Sequence, residues 1–227
     1  MPRVVTVAIV GFIAAAQAPA AAERGTAART AVKPTVCLAP LGSYDKEMLP
    51  IVTRGIEHLY GFDVKLLDPR PLPRSAWYQP RRRYRAEKLL HYLDTEVLPD
   101  SGCNLVMGFT RVDISTSKDQ HPDWGILGLA WIGGPSGVVS TYRLGRKVNA
   151  RHKAKRAVKV MNHELGHALG LDHHDVDGCL MEDAGGTVKT VDLESGLLCP
   201  ESRRDIESLR GFPLPALAAF DWAVVLD

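Results

Sequence analysis

Apolar residues recur along this chain at two periods, and the two alternate. Thr35 to Leu41 is a short apolar run stopped by Gly42, the pattern of a first strand. From Asp45 to Tyr60 the apolar positions are Met48, Ile51, Val52, Ile56 and Leu59, the spacing of one helix face, and Gly61 closes it. Phe62 to Leu67 alternates Phe62, Val64 and Leu66 with Asp63 and Lys65, a second strand. Asp68 to Pro80 holds four prolines and reads as loop. The cluster Arg81-Arg82-Arg83-Tyr84-Arg85 opens a predicted helix that continues through Leu89, Leu90 and Leu93. Its charges are expected on a solvated helix face, with a phosphate or anionic-lipid grip as the rival, and His58 and His91 as surface residues. Asn104 to Phe109 is a third, buried strand. Ile126 to Ile132 and Val138 to Leu144 are two more apolar runs, parted by the turn signal Gly133-Gly134-Pro135-Ser136-Gly137. A long helix starts between Asn149 and Lys153 and carries Ala157, Val158, Met161, Leu165, Ala168 and Leu169 on its apolar stripe. Its first turn bears Arg151, Lys153, Lys155 and Arg156, the wrong sign for a helix N-terminus, so burial of the stripe must outweigh them. Ser202 to Leu209 is a last short helix; the segment after Gly211 fits no pattern. Alternating helices and strands followed by a hairpin-like pair predict an α/β fold, a mixed sheet with an edge strand able to pair with an extended peptide.

Composition changes this picture little. The chain has 227 residues, 45% hydrophobic and 24% charged, enough for one well-buried core. A formal net charge of +2 is too small to imply nucleic acid or an anionic surface as the main partner, and neither is expected. The start of the chain matters more. Met1-Pro2-Arg3 is followed by a nearly unbroken apolar run from Val4 to Ala16 and small residues from Ala18 to Ala22. That is the pattern of a secretory signal peptide, residues 1–22, cleaved near 20–22; the run is short for a retained membrane anchor, the alternative. Residues 23–34 are then an expected disordered tail, 35–211 the one folded domain and 212–227 a C-terminal tail. A secreted or periplasmic monomer with no stable membrane anchor is expected, and its four cysteines, Cys37, Cys103, Cys179 and Cys199, are free to pair.

The chemistry lies in His163-Glu164-Leu165-Gly166-His167-Ala168-Leu169-Gly170-Leu171-Asp172-His173-His174. His163 and His167, four apart on a helix, project from one face a turn apart and can reach one metal ion. Glu164 sits where its carboxylate can meet a metal-bound water without taking a coordination position. Gly170 accepts the left-handed conformation that ends a helix, after which His173 can swing back as a third nitrogen ligand. Three imidazoles and an open position describe a catalytic zinc site, where a structural site would carry four protein ligands.

The stretch His163 to His173 resembles the metzincin clan of zinc proteases, and Met181, eight residues past His173 with Cys179 before it, is similar to the archaemetzincins in particular. Arg83-Tyr84-Arg85-Ala86-Glu87 and Val139-Ser140-Thr141-Tyr142-Arg143-Leu144 resemble that family too. The resemblance implies a metzincin-like, mixed and mostly parallel sheet with an antiparallel edge strand, an active-site helix and a short C-terminal subdomain. It also implies a turn placing Met181 beneath the metal, and peptidase activity of unsettled exo- or endo-type. Archaemetzincins hold a second, structural zinc with four cysteines; here those places read His174, Cys179, Cys199 and Ser202. Serine is a poor zinc ligand. A Cys179–Cys199 disulfide is therefore the favoured expectation, with a residual second zinc on His174, Cys179 and Cys199, completed by water or Glu201, as its rival. Cys37 and Cys103 stand near the starts of the first and third strands, as a second disulfide if those strands are neighbours or otherwise as two buried thiols.

The expected function is that of a secreted zinc-dependent metallopeptidase acting on peptides or proteins. Zn(2+) on His163, His167 and His173 would activate water and Glu164 would serve as general base. Tyr142, His121 and His174 are the candidates for a second oxyanion donor. A zinc-containing, non-catalytic module that binds peptides or cell-wall components is the alternative, against which the presence of Glu164 argues.

Overall fold

The computed structural model describes residues 32–185 and 187–227. The expected signal peptide, and the expected tail apart from its last three residues, lie outside them. Strand β1 (Val36–Pro40) is buried at every position, as a strand between two parallel neighbours must be. It pairs with β2 (Val64–Leu66) on one side and with β5 (Leu105–Thr110) on the other. β9 (Ser136–Ser140) continues the parallel order, and β8 (Gly128–Ala130) closes it as an antiparallel edge, giving β2-β1-β5-β9-β8. This is the mixed α/β sheet with an edge strand that the alternation of elements predicts, mostly parallel as the family resemblance implies. Cys37 in β1 and Cys103 just before β5 are joined by a disulfide across these neighbouring strands.

One face of the sheet is covered by α1 (Leu49–Tyr60) and α4 (Ala150–Ala168). The two helices approach closely at Gly55, where a Cβ would lie 2.5 Å from Val158 Cγ1. Tyr60 Oη donates to the Asn162 carbonyl at 2.6 Å, and Asn162 Nδ2 donates to the Gly55 carbonyl at 3.1 Å, so α1 fixes the rotation of α4 about its axis. α4 begins where its cap predicts: Asn149 accepts from the His152 N–H. The adverse charge of its first turn is relieved from outside the helix, with Arg156 forked onto Asp192 and Lys153 bonded to Asp45.

The other face carries α2 (Ala86–Tyr92), which runs on through a π-turn at Leu93–Val97 into α3 (Leu98–Ser101). The Arg81–Arg85 cluster does not open this helix. Arg83–Arg85 is a strand, β4, in a second sheet ordered β3-β4-β6-β7 with β3 (Trp77–Tyr78), β6 (Ile114–Lys118) and β7 (His121–Ile126). Strand alternation explains the correction. Arg83 and Arg85 share one side, where Arg83 pairs with Asp113 at 3.3 Å and with Asp123 at 3.4 Å, while Tyr84 packs edge-on against Trp77. Arg81, Arg83 and Arg85 of the cluster are thus paired with Asp113 and Asp123 at this sheet.

After α4 come α5 (Val188–Leu193), α6 (Pro200–Arg210) and α7 (Trp222–Leu226). Residues 212–227, which the sequence leaves as a tail, are packed: Phe212, Leu214, Phe220 and Val225 are buried in the main core. Asp221 caps α7, and Arg54 of α1 donates to the Val225 carbonyl at 3.0 Å.

Candidate metal centre

α4 ends by design of its sequence. Gly170 holds φ +100°, its N–H donates to the His167 carbonyl at 2.8 Å, and the Leu171 N–H donates to the Gly166 carbonyl at 3.0 Å. The chain then doubles back, and one ligand atom from each of His163, His167 and His173 lies within 4.8 Å of the others. Among the described residues this is the one such group of three or more metal-ligating side chains.

The ring orientations are set by backbone carbonyls, which can only accept. His163 Nδ1 is 2.7 Å from the Leu180 carbonyl and His167 Nδ1 is 2.9 Å from the Leu171 carbonyl, so both Nδ1 atoms carry the proton. The unprotonated Nε2 atoms then face each other at 3.1 Å. Two lone pairs at that distance repel unless a cation lies between them, so the donor set fits a zinc ion. Burial holds the rings neutral: it depresses His163 to about 3 with help from His167, and it lowers His167 as well. Met181 is fully buried beneath the helix, against Gly166, where a Cβ would lie 2.5 Å from its sulfur.

Glu164 is 7% exposed, and burial pushes its carboxyl up to about 8. A divalent cation nearby would draw it down again. Its carboxylate packs on the backbone of Gly128 in the edge strand, where a Cβ would lie 2.5 Å from Oε1. Helix and edge strand therefore position this group together, and Gly128 is a site residue that the sequence pattern does not mark. The histidines and Glu164 open on a cavity of about 300 Å³, walled by β7, β8, Val160 of α4 and Val191 of α5. Lys118, Asp183 and Glu194 also line it, unmarked by sequence reasoning. Tyr142, His121 and His174 do not.

The expected Cys179–Cys199 disulfide is absent: both thiols are free and buried. The Ser202 hydroxyl lies 3.5 Å from Cys179 Sγ and 3.1 Å from Cys199 Sγ, and the Cys199 N–H donates to Cys179 Sγ at 3.3 Å. The segment is closed by its backbone instead, Leu180 N–H to Leu197 carbonyl at 2.9 Å and Ser195 N–H to Gly178 carbonyl at 3.0 Å. Nor do His174, Cys179 and Cys199 converge as a second zinc set. The His174 ring turns to Asp205, 3.4 Å away.

Comparison with known proteins bears on the same stretch. The sequence pattern of peptidase family M54 matches residues 73–208. The chain belongs to peptidase family M54. Archaemetzincin of Haloarcula marismortui is 27% identical over 179 residues, 75% of this chain and 98% of that protein. Archaemetzincin of Pyrococcus horikoshii is 31% identical over 156 residues, 65% of this chain and 79% of that protein. Among solved structures, archaemetzincin of Methanopyrus kandleri superposes with a TM-score of 0.68 at 24% identity, covering 78% of this chain and 95% of that one. The Archaeoglobus fulgidus archaemetzincin, solved with malonate, gives 0.63 at 24% identity over 74% and 97%. This M54 chain is an archaemetzincin-like zinc metallopeptidase, a hydrolase whose substrates are peptides or proteins.

Proposed function

We propose that the M54 chain is an exported peptidase with a single catalytic zinc held by His163, His167 and His173, and that Glu164 is its general base. The observation that carries this reading is the arrangement of both helix histidines, each proton-bound to a carbonyl on one side and presenting a bare Nε2 on the other. When bound, zinc supplies a Lewis acid that makes water a stronger acid and polarises a carbonyl oxygen.

This chain's residues do the rest. The outer edge of β8, the end strand of the sheet, can pair with an extended peptide and lay the scissile bond over the histidines. Glu164, wedged between α4 and Gly128, takes a proton from the attacking water at a carboxylate oxygen and delivers it to the leaving amine. The apolar walls around it exclude bulk water, which strengthens its interaction with the developing charge. Met181 and the Leu180 carbonyl support the histidines from below without touching substrate. Export is supported by the apolar N-terminal run and by the Cys37–Cys103 disulfide, a bond suited to an oxidising compartment.

Glu164→Gln tests the reading. The variant should bind one equivalent of zinc, as wild type should, and lose turnover of a peptide library by at least about a hundredfold. If zinc-loaded wild type cleaves no peptide at neutral pH, the non-catalytic binding module replaces it.

A further inference from the structure

The cavity beside the histidines does not end in an apolar floor. Glu194 lines it, at the C-terminal cap of α5, and is 5% exposed. Its main chain is committed: its N–H donates to the Thr190 carbonyl, and its own carbonyl accepts from Lys159 Nζ at 2.5 Å. Its carboxylate takes no hydrogen bond and no ion pair within 4.0 Å from any described residue. Lys159, the cation that acts on it, spends its ammonium on the carbonyls of Val191 and Glu194. Neither carboxylate oxygen is among the fully sealed, unpartnered polar atoms of the described residues, and the residue lines the cavity. A buried carboxyl left without a partner is costly unless something supplies one. Burial raises Glu194 to about 8, and Glu182 and Asp192 act in the same direction against Lys159.

We propose that Glu194 is a specificity-determining residue, and that this pocket takes a lysine or arginine side chain of the substrate adjoining the scissile bond. The inference rests on the peptidase reading above. Val160, Val191 and Ala184 provide apolar walls for the methylene stem, and Glu194 receives the cationic end. Apart from the metal ion, carboxyl groups outnumber cationic groups on the cavity wall, Asp172, Asp183, Glu164 and Glu194 against Lys118, and a bound cationic side chain would favour the ionised form of Glu194 that burial alone disfavours. A leucine or phenylalanine would fill the walls but leave the carboxylate without a partner. That loss is what gives a polar site its power to discriminate.

Zinc-loaded wild type and Glu194→Gln should be compared on a mixture-based peptide library, then on matched peptides carrying lysine or norleucine at the selected position. Wild type should prefer lysine in kcat/KM by about tenfold to a hundredfold. In Glu194→Gln the ratio should fall to within about twofold, with retention of fold checked by thermal melting. A wild-type ratio near one at every position flanking the cleaved bond overturns the proposal, and needs no variant to fold. So does a ratio unchanged in Glu194→Gln. Calorimetric binding of the same peptides to zinc-loaded Glu164→Gln separates this from failure of the peptidase reading. If nothing is cleaved but the lysine peptide binds tighter only while Glu194 is present, the pocket assignment stands and the activity falls. Equal binding of both peptides overturns the assignment itself.

Discussion

Gly128→Ala adds one methyl group to the edge strand and is the sharpest probe of how Glu164 is placed. Gly128 has an ordinary φ, so alanine brings no backbone strain, and the whole effect comes from its Cβ. That atom would lie 2.5 Å from Glu164 Oε1, 2.6 Å from Cγ and 2.8 Å from Cδ, where ordinary contact begins near 3.4 Å. The carboxylate must therefore retreat by about 0.9 Å, and a displacement of that order in a reacting group lowers turnover by about a hundredfold. The three histidines lie on α4 and the turn after it, so zinc affinity should stay within a few-fold of wild type. The assay is kcat on a cleaved library peptide, with zinc stoichiometry and melting temperature measured on the same preparation. A second comparison sharpens it: in a Glu164→Gln background, Gly128→Ala should reduce residual turnover little further, because both changes disable one group. Near wild-type kcat in Gly128→Ala, or loss of zinc along with turnover, would refute the claim that the edge strand positions the base.

Acid should inactivate the enzyme and loosen its metal-free fold. His163 is held down to about 3 in the folded chain, so between there and its unfolded value near 6.5 the unfolded chain binds the extra proton. Stability is complete above that upper value and lost as pH falls through the window; zinc release and falling melting temperature should be seen together, and activity persisting at pH 4 would contradict it. The Cys37–Cys103 bond links residues 66 apart, a loop whose closure contributes about 4 kcal/mol in the chain-entropy account. Reduction, or alanine at both positions, should lower the melting temperature. The denatured, unreduced protein should titrate two thiols, Cys179 and Cys199, and the reduced protein four; a count of zero before reduction would restore the discarded disulfide.

What the sequence made legible is what lies along one continuous stretch of chain. The zinc-binding pattern spans a single helix and the turn at Gly170, so spacing alone places three rings and a carboxylate together. Buried parallel strands such as β1 and β5 are equally plain, because nearly every residue in them is apolar. β6 and β7 are not, since they carry polar residues such as Ser115, Thr116 and Asp123 among few apolar ones, and burial of Ser115 and Asp123 leaves no mark in the sequence. The arginines of β4 resemble a charged helix face in sequence because their partners are distant along the chain, Asp113 just before β6 and Asp123 in β7. Cys37 and Cys103 could be paired only once β1 and β5 were known to be neighbours.

The same limit explains the pieces of the site that spacing missed. Gly128 lies some three dozen residues before Glu164 and matters because it lacks a side chain. Glu194 caps the helix α5 that follows the metal helix, and matters because no described residue bonds to its carboxylate. Neither property is a motif; both are relations between elements that packing alone creates. The Cys179, Cys199 and Ser202 cluster makes the converse case. Its sequence positions match those of a second zinc site, yet the thiols surround a hydroxyl and the segment is closed by Leu180 to Leu197 and Ser195 to Gly178 backbone bonds. The segment that seats Met181 under the helix is therefore held by backbone pairing and core packing. It follows that Ser202→Ala should leave the zinc content of the protein unaltered.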